Sequence, residues 1–294
     1  MPKENIFFEK KLKSGRLNGT LEFKLFLIGI FLLPSAPFFA SIILIHPLIK
    51  GIFKQKERLF TDKYNIPLIL GSIIMISKSI ISSLSQDSNS FAEIWKPELN
   101  WIGLINWVPL FLCFFSFQNY LKTSYQRSIV SKIFIASSVP ILLSGLSQYF
   151  LNLYGPYQIF NGLIIWFQRS PDSLSSYGAG LTSVFSNQNY AGSWLTLIWP
   201  FCLTNFLINL KKKNKIKTRI IFCICLLFAI CIFLTHSRGA ILSLIISLPI
   251  ILGKLSFYFL IPLIILIFLA ICLNLIPLFD YELNLLIKKI VPND

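Results

Sequence analysis

Charge is what this sequence lacks. Only 13% of its 294 residues are Asp, Glu, Lys or Arg, with 12 acidic side chains and two histidines, while 55% are hydrophobic. A soluble domain of this length needs far more polar surface to cover itself, so a soluble fold is excluded. The apolar residues run continuously instead of alternating with polar ones, which argues against a transmembrane barrel. Glycine-rich phosphate loops, clusters of metal ligands and a nucleophile beside an evident base are missing too. The six cysteines, Cys113, Cys202, Cys223, Cys225, Cys231 and Cys272, fall inside apolar segments without metal-ligand partners, so neither disulfides nor a zinc site is expected. The basic, polar stretch Met1 to Asn18 is followed by an apolar segment without a small-residue cleavage site, so no removable signal peptide is expected.

What the chain has is a series of long apolar runs, with 28 phenylalanines and a mean hydropathy of +0.70. These predict an all-α polytopic membrane protein. The net charge of +15 reads as topology and not as a nucleic-acid surface, because the basic residues sit in short clusters between apolar runs. Leu21 to Ile49 is broken by Pro34-Ser35-Ala36-Pro37 and is basic on both flanks. It therefore reads as two short helices, Leu17–Leu33 and Pro37–Phe53, turning at the prolines, with Lys24 and Lys50 reaching back toward the inner side.

Further spans are expected at Ile66–Ser85, Trp101–Leu121, Ile129–Phe150, Tyr190–Leu210, Ile220–Thr235, Ala240–Gly253 and Leu255–Ile276, about nine membrane helices in all. On this topology the basic clusters at 3–24, 50–63, 122–132 and 211–219, with Lys254, face inward. Most acids, Asp87, Glu93, Glu98, Asp172, Asp280, Glu282 and Asp294, face outward. That asymmetry places the N-terminus in the cytoplasm. The domain reading is a basic N-terminus (1–20), a helical membrane domain (21–279) with an outer loop at 151–189, and an outer tail (280–294).

Chemistry is expected where charge interrupts the apolar pattern. Arg238, in Phe233-Leu-Thr-His-Ser-Arg-Gly-Ala240, sits where one apolar run stops and the next begins. An arginine at a membrane boundary needs a partner or a route to water. Its forked donors suit a phosphate or diphosphate, although a plain anchor in the headgroup layer explains the same residue. Asn187 begins a polar cluster, with Asn189, that would cap the helix starting near Tyr190, and a helix N-terminus favours anions. Arg169 lies in the longest outer loop, where a solvated charge is the simpler reading. His236 and His46 read as interfacial, Trp95 and Trp101 as aromatic anchors. Lys78 lies within a span without a partner that the sequence names.

Two segments together resemble the O-antigen ligase and O-antigen polymerase-like membrane family. They are Gly180-Leu-Thr-Ser-Val-Phe-Ser-Asn-Gln-Asn-Tyr-Ala-Gly-Ser-Trp-Leu195 and, after a basic loop, Leu234-Thr-His-Ser-Arg-Gly-Ala240. The proline-broken N-terminal pair is similar to this family as well. The resemblance implies a bacterial plasma-membrane protein of cell-surface polysaccharide (lipopolysaccharide-type) assembly. Ligase-type members are glycosyltransferases that move a glycan from an undecaprenyl diphosphate carrier to an acceptor at the outer face, without a metal ion or other cofactor. It implies that Arg238 clamps the donor diphosphate and that Asn187, Asn189, Arg169 and Ser237 line the donor site. Many relatives carry an arginine where this chain has Gly180, and Arg169 is the candidate substitute. The family's large outer loop, with a histidine proposed to activate the acceptor, is not in this sequence, and Asp280–Asp294 resembles its opening. A piece of a longer transferase, a small-anion (bicarbonate-like) transporter and a non-catalytic scaffold of the same family stay open as alternatives.

Overall fold

The computed structural model describes residues 20–84, 98–170, 180–213, 215–256, 258 and 261. Six helical segments among them are long and apolar enough to cross a bilayer: Pro37–Arg58, Ile66–Leu84, Leu99–Tyr120, Ser124–Phe150, Gln188–Lys211 and Lys215–Leu234. The chain is a helical membrane protein. Two further apolar helices are shorter, so the nine spans expected are not reached among the described residues. The expected ninth helix (Leu255–Ile276) lies almost wholly outside them. The acidic loop up to Pro97, Asp172, the N-terminus to Gly19 and the tail Asp280–Asp294 lie outside them altogether. The chain divides into two units, Met1–Ala191 and Gly192–Asp294.

In the first unit, α1 (Leu21–Leu32) stops short because Pro34 cannot donate to its last turn, and Pro37 opens α2 (Pro37–Gln55). The pair doubles back as expected. Gly29 lets the two helices close up on Leu44, and at the far end Lys54 reaches Glu22 at 3.8 Å. Pro47 lies inside α2, and its carbonyl accepts the Tyr120 hydroxyl at 2.9 Å. The Leu48 carbonyl accepts Ser116 Oγ at 2.7 Å. Both donors belong to α4 (Glu98–Phe117) and the turn behind it. Gly51 permits this approach, since a Cβ there would stand 2.7 Å from the Ser116 carbonyl oxygen. An aromatic core of Phe23, Phe26 and Tyr120 fills the space beside α1.

Helix α3 (Ile66–Leu84) pairs with α4 through Asn100 donating to Ser82 Oγ at 2.8 Å and Trp101 Nε1 to Ser83 Oγ at 2.9 Å. Trp101 is thus tied to a neighbouring helix. Helix α5 (Ser124–Ser137) opens on a capping box made by Thr123 and Gln126. Its run to Phe150 is interrupted at Ser138 because Pro140 follows, and it resumes as α6 (Val139–Phe150).

The expected long loop after α6 is not irregular throughout. It contains a β-hairpin, β1 (Tyr157–Ile159) against β2 (Ile164–Trp166), antiparallel with Tyr157 opposite Trp166. Asn161 and Gly162 take up left-handed conformations at its turn (φ 52° and 88°), which suits both residue types. The hairpin is fastened to the proline turn: Trp166 Nε1 donates to the Ser35 carbonyl at 2.9 Å, and Phe160 meets Phe39 edge-on at 5.9 Å.

The second unit holds most of α7 (Gln188–Lys211), with α8 (Lys215–Leu234) and α9 (Arg238–Leu252). Helices α7 and α8 pack through Phe206 and Phe222, 5.7 Å apart, and through the buried thiols of Cys202 and Cys225, 3.1 Å apart and unbonded covalently. Helix α9 ends at Leu252 with Gly253 as its C-cap, well short of a full span.

Candidate functional site

Helix α6 presents two faces. One, with Ile141, Gly145 and Gln148, is buried against the segment 180–185. At Gly145 a side chain would collide with Leu181, whose methyl carbons stand 2.8 Å from where its Cβ would be. Gln148 sits near the end of an apolar helix and is only 5% exposed. Its Oε1 accepts the backbone N–H groups of Thr182 at 3.0 Å and Ser183 at 2.7 Å. Its Nε2 donates to the Arg169 carbonyl at 2.9 Å and to Thr182 Oγ1 at 3.1 Å. One amide thus bonds to both segments, 167–169 and 182–184, as buried polar groups require.

Around it the segments 167–169 and 182–184 exchange further bonds: Gln168 N–H to the Ser183 carbonyl at 2.9 Å and Arg169 N–H to Thr182 Oγ1 at 3.0 Å. Ser183 adopts a left-handed conformation (φ 51°) and its hydroxyl donates to the Ile141 carbonyl at 2.6 Å. Gln168 Nε2 reaches the Ser144 carbonyl at 2.9 Å and Ser147 Oγ at 3.2 Å. The backbone carrying Arg169 is therefore fixed on both sides.

The Arg169 side chain is half-buried, with its guanidinium over the Phe167 ring at 5.9 Å. It borders a cavity of about 180 Å³ whose other walls are Gln148, Tyr149, Asn152, Tyr154, Gly180 and Leu181. Tyr154 donates to Asn152 Oδ1 at 2.9 Å. The cavity combines a cation, amides and phenols, a set that binds anions and polyhydroxyl groups. Gly180 N–H donates to Gln188 Oε1 at 3.0 Å, which fastens this wall to the start of α7.

Asn187 is the cap expected of it. Its Oδ1 accepts the Asn189 N–H at 2.8 Å and its carbonyl accepts Ala191 N–H, so α7 begins at Gln188, two residues before the expected start. Asn187 and Asn189 are exposed and do not line the cavity, so of the expected residues in the first unit only Arg169 does.

Arg238 and Ser237 belong to the second unit. Helix α8 ends at Leu234 and the chain turns through Thr235 and His236, the latter left-handed (φ 53°). Buried Thr235 Oγ1 donates to the Ile232 carbonyl at 2.7 Å and accepts Ser237 N–H at 3.2 Å. Ser237 is buried at the N-cap of α9 and its carbonyl accepts Ile241 N–H. Arg238 is the first residue of α9 and is exposed, as is His236. A cation at a helix N-terminus is opposed by the helix dipole, and that cost is offset when an anion binds there. Gly192 packs under this corner, where a Cβ would stand 2.8 Å from Ala240 Cβ and 3.2 Å from Thr235 Oγ1.

Sequence reasoning missed Gln148, Gln168, Thr182 and Gln188. The signal for Gln148 was available as a lone amide near the end of an apolar run. For the others nothing local separates them from ordinary loop residues. Comparison of the chain with protein-family models, curated proteins and solved structures finds no match.

Proposed function

We propose that this chain is an O-antigen ligase or polymerase-like protein of cell-surface polysaccharide assembly. It sits in a bacterial plasma membrane with its N-terminus in the cytoplasm and binds an undecaprenyl-diphosphate-linked glycan at the outer face. The observation that carries the reading is that Arg169 and Gly180 border one cavity. In this reading Arg169 takes the part of the arginine that the resembled family carries at the position of Gly180. Support also comes from the corner at Arg238, where the Thr-x-Ser-Arg-Gly pattern is a built turn whose backbone is held by Thr235 Oγ1.

In this reading Arg238 clamps the donor's diphosphate by charge-assisted hydrogen bonds. A fixed cation there stabilises the diphosphate as it leaves the glycan's anomeric carbon and takes up the bonding electron pair. Transfer completes when an acceptor oxygen bonds to that carbon and gives up its proton. No described residue is assigned as the base for that proton. Arg169, Asn187 and Asn189 in the first unit and Ser237 in the second are the residues this reading assigns to binding polar groups of the donor, and Asn187 also holds the start of α7 through its side chain.

The test is binding of undecaprenyl diphosphate to the purified protein in nanodiscs. Arg169→Ala and Arg238→Ala are each expected to weaken binding by about 10- to 100-fold, the worth of a hydrogen bond to a charged group. The lysine variants should recover part of it. Unchanged binding in both alanine variants, with the protein still monodisperse, would sink the reading.

A further inference from the structure

Helices α7 and α8 pair in one fixed register within the second unit. Phe206 meets Phe222 with ring centres 5.7 Å apart, and Cys202 meets Cys225. Gly192 lies against Thr235, whose Oγ1 is 3.2 Å from where a glycine Cβ would stand. Each step forward along α7 is matched by an equal step back along α8. Ten residues separate Gly192 from Cys202, and ten separate Cys225 from Thr235. These contacts run over about 20 Å of helix.

Two sulfurs are therefore presented to each other by the packing of two whole helices. Cys202 is fully buried and Cys225 is 6% exposed. Their Sγ atoms stand 3.1 Å apart, joined by one S–H donor, which is a weak hydrogen bond. An approach of about 1 Å brings them to the ~2.05 Å of a disulfide. The neighbouring cysteines of α8 behave differently. Cys231 is as deeply buried, but the register sets it opposite Thr196 and it acts as a small apolar side chain. Cys223 is exposed and free.

The surroundings select the oxidant. Ile198 and Leu203 on α7 and Phe228 on α8, all close in sequence to the two thiols, are buried as well. A charged oxidant, or a disulfide the size of oxidised glutathione, does not enter such packing. Hydrogen peroxide is small and uncharged.

We propose that Cys202 and Cys225 are a reversible oxidation site, at which hydrogen peroxide converts the dithiol into a disulfide that fastens α7 to α8. One sulfur first takes an oxygen from the peroxide. An S–O bond forms as the O–O bond breaks, and the thiol proton leaves with the other oxygen as water. The second sulfur then attacks this sulfenic acid. An S–S bond forms as the S–O bond breaks, and the second thiol proton leaves with that oxygen as water. Two electrons pass from the sulfurs to the peroxide, and a thiol reductant returns them. The resolving sulfur is already in contact, so the disulfide forms ahead of further oxidation of the first. The site is independent of the donor site proposed above.

The chain carries its own readout, because the six basic residues of 211–219 lie between the two cysteines and trypsin cuts there. The full chain, one per nanodisc, is treated with hydrogen peroxide, denatured in N-ethylmaleimide and digested. Peptide 170–211, in which Cys202 is the one cysteine, is expected to be linked to peptide 220–238 through Cys225. Dithiothreitol should release the two. Cys202→Ser and Cys225→Ser should each abolish the link, while Cys223→Ser and Cys231→Ser leave it unchanged. Peptides that stay unlinked with N-ethylmaleimide on Cys202, a link that runs to Cys223 or Cys231, or one that survives Cys225→Ser would each overturn the assignment. Fragmentation of the linked peptides maps the bond in the natural sequence, so the matter is decided even if a serine variant fails to fold.

Discussion

Gln148 Oε1 takes the backbone N–H of Ser183 at 2.7 Å, while the Ser183 hydroxyl returns to the carbonyl of Ile141, two turns earlier on the same helix as Gln148. The loop is thereby stitched to α6 at both ends of a short stretch. Arg169 owes its position to that stitch, because the other end of the Gln148 amide holds its carbonyl.

Gln148→Leu removes the acceptor for two buried N–H groups, those of Thr182 and Ser183. An orphaned buried donor costs about 1–3 kcal/mol, so a clear fall in the midpoint of thermal unfolding in detergent is expected. Donor-lipid binding should fall as well, since the Arg169 backbone is released. A variant as stable as the parent would show that water takes over the amide's role.

Asn187 separates capping from ligation. Asn187→Ala is expected to destabilise by about 0.5–2 kcal/mol through loss of the cap on α7, whereas Asn187→Asp keeps an acceptor for the Asn189 N–H. If Asn187 also faces an anionic donor, the aspartate variant stays stable and binds the lipid diphosphate less well. Equal binding by Asn187→Asp and the parent would leave Asn187 as a cap alone.

Gly192→Ala places a methyl group 2.8 Å from Ala240 Cβ. Overpacking of this kind costs about 1–3 kcal/mol. Adding Ala240→Gly should return most of the loss, and a double-mutant cycle in unfolding free energy measures the coupling. Strict additivity would mean that Ser237 Cβ or Thr235 Oγ1, each 3.2 Å from the same point, is the true obstacle.

Orientation is checked by a reporter fused after Lys63. The doubled-back α1–α2 pair, with Glu22 beside Lys54, returns the chain to the side it started from, so the reporter is expected in the cytoplasm. Its appearance on the outer side would overturn the proposed topology.

The helical membrane architecture was legible because apolar runs and basic clusters follow from solvation alone. Pro34 and Pro37 marked the first turn, and Asn187 marked a cap, since each acts on backbone within a few residues of itself. Helix length was less legible. Lys215, Lys217 and Arg219 looked like loop charges yet form the first turns of α8, because long basic side chains can extend from a helix end into water. The hairpin was not legible. Its strands are three residues each, and what holds it is Trp166 reaching Ser35, a long-range contact that leaves no local pattern. The cavity was half legible: Arg169 could be named as a charge, but Gln148 becomes its support only once the chain has folded back on α6.

The bond from Trp166 to Ser35 joins residues 131 positions apart in the chain. At ~5–20 residues per second, translation of the intervening segment takes on the order of ten seconds. During that interval the turn between the first two helices is already threaded, with one carbonyl still facing solvent or lipid headgroups. Biogenesis thus has a built-in delay: the first helical pair waits for a tryptophan made three spans later.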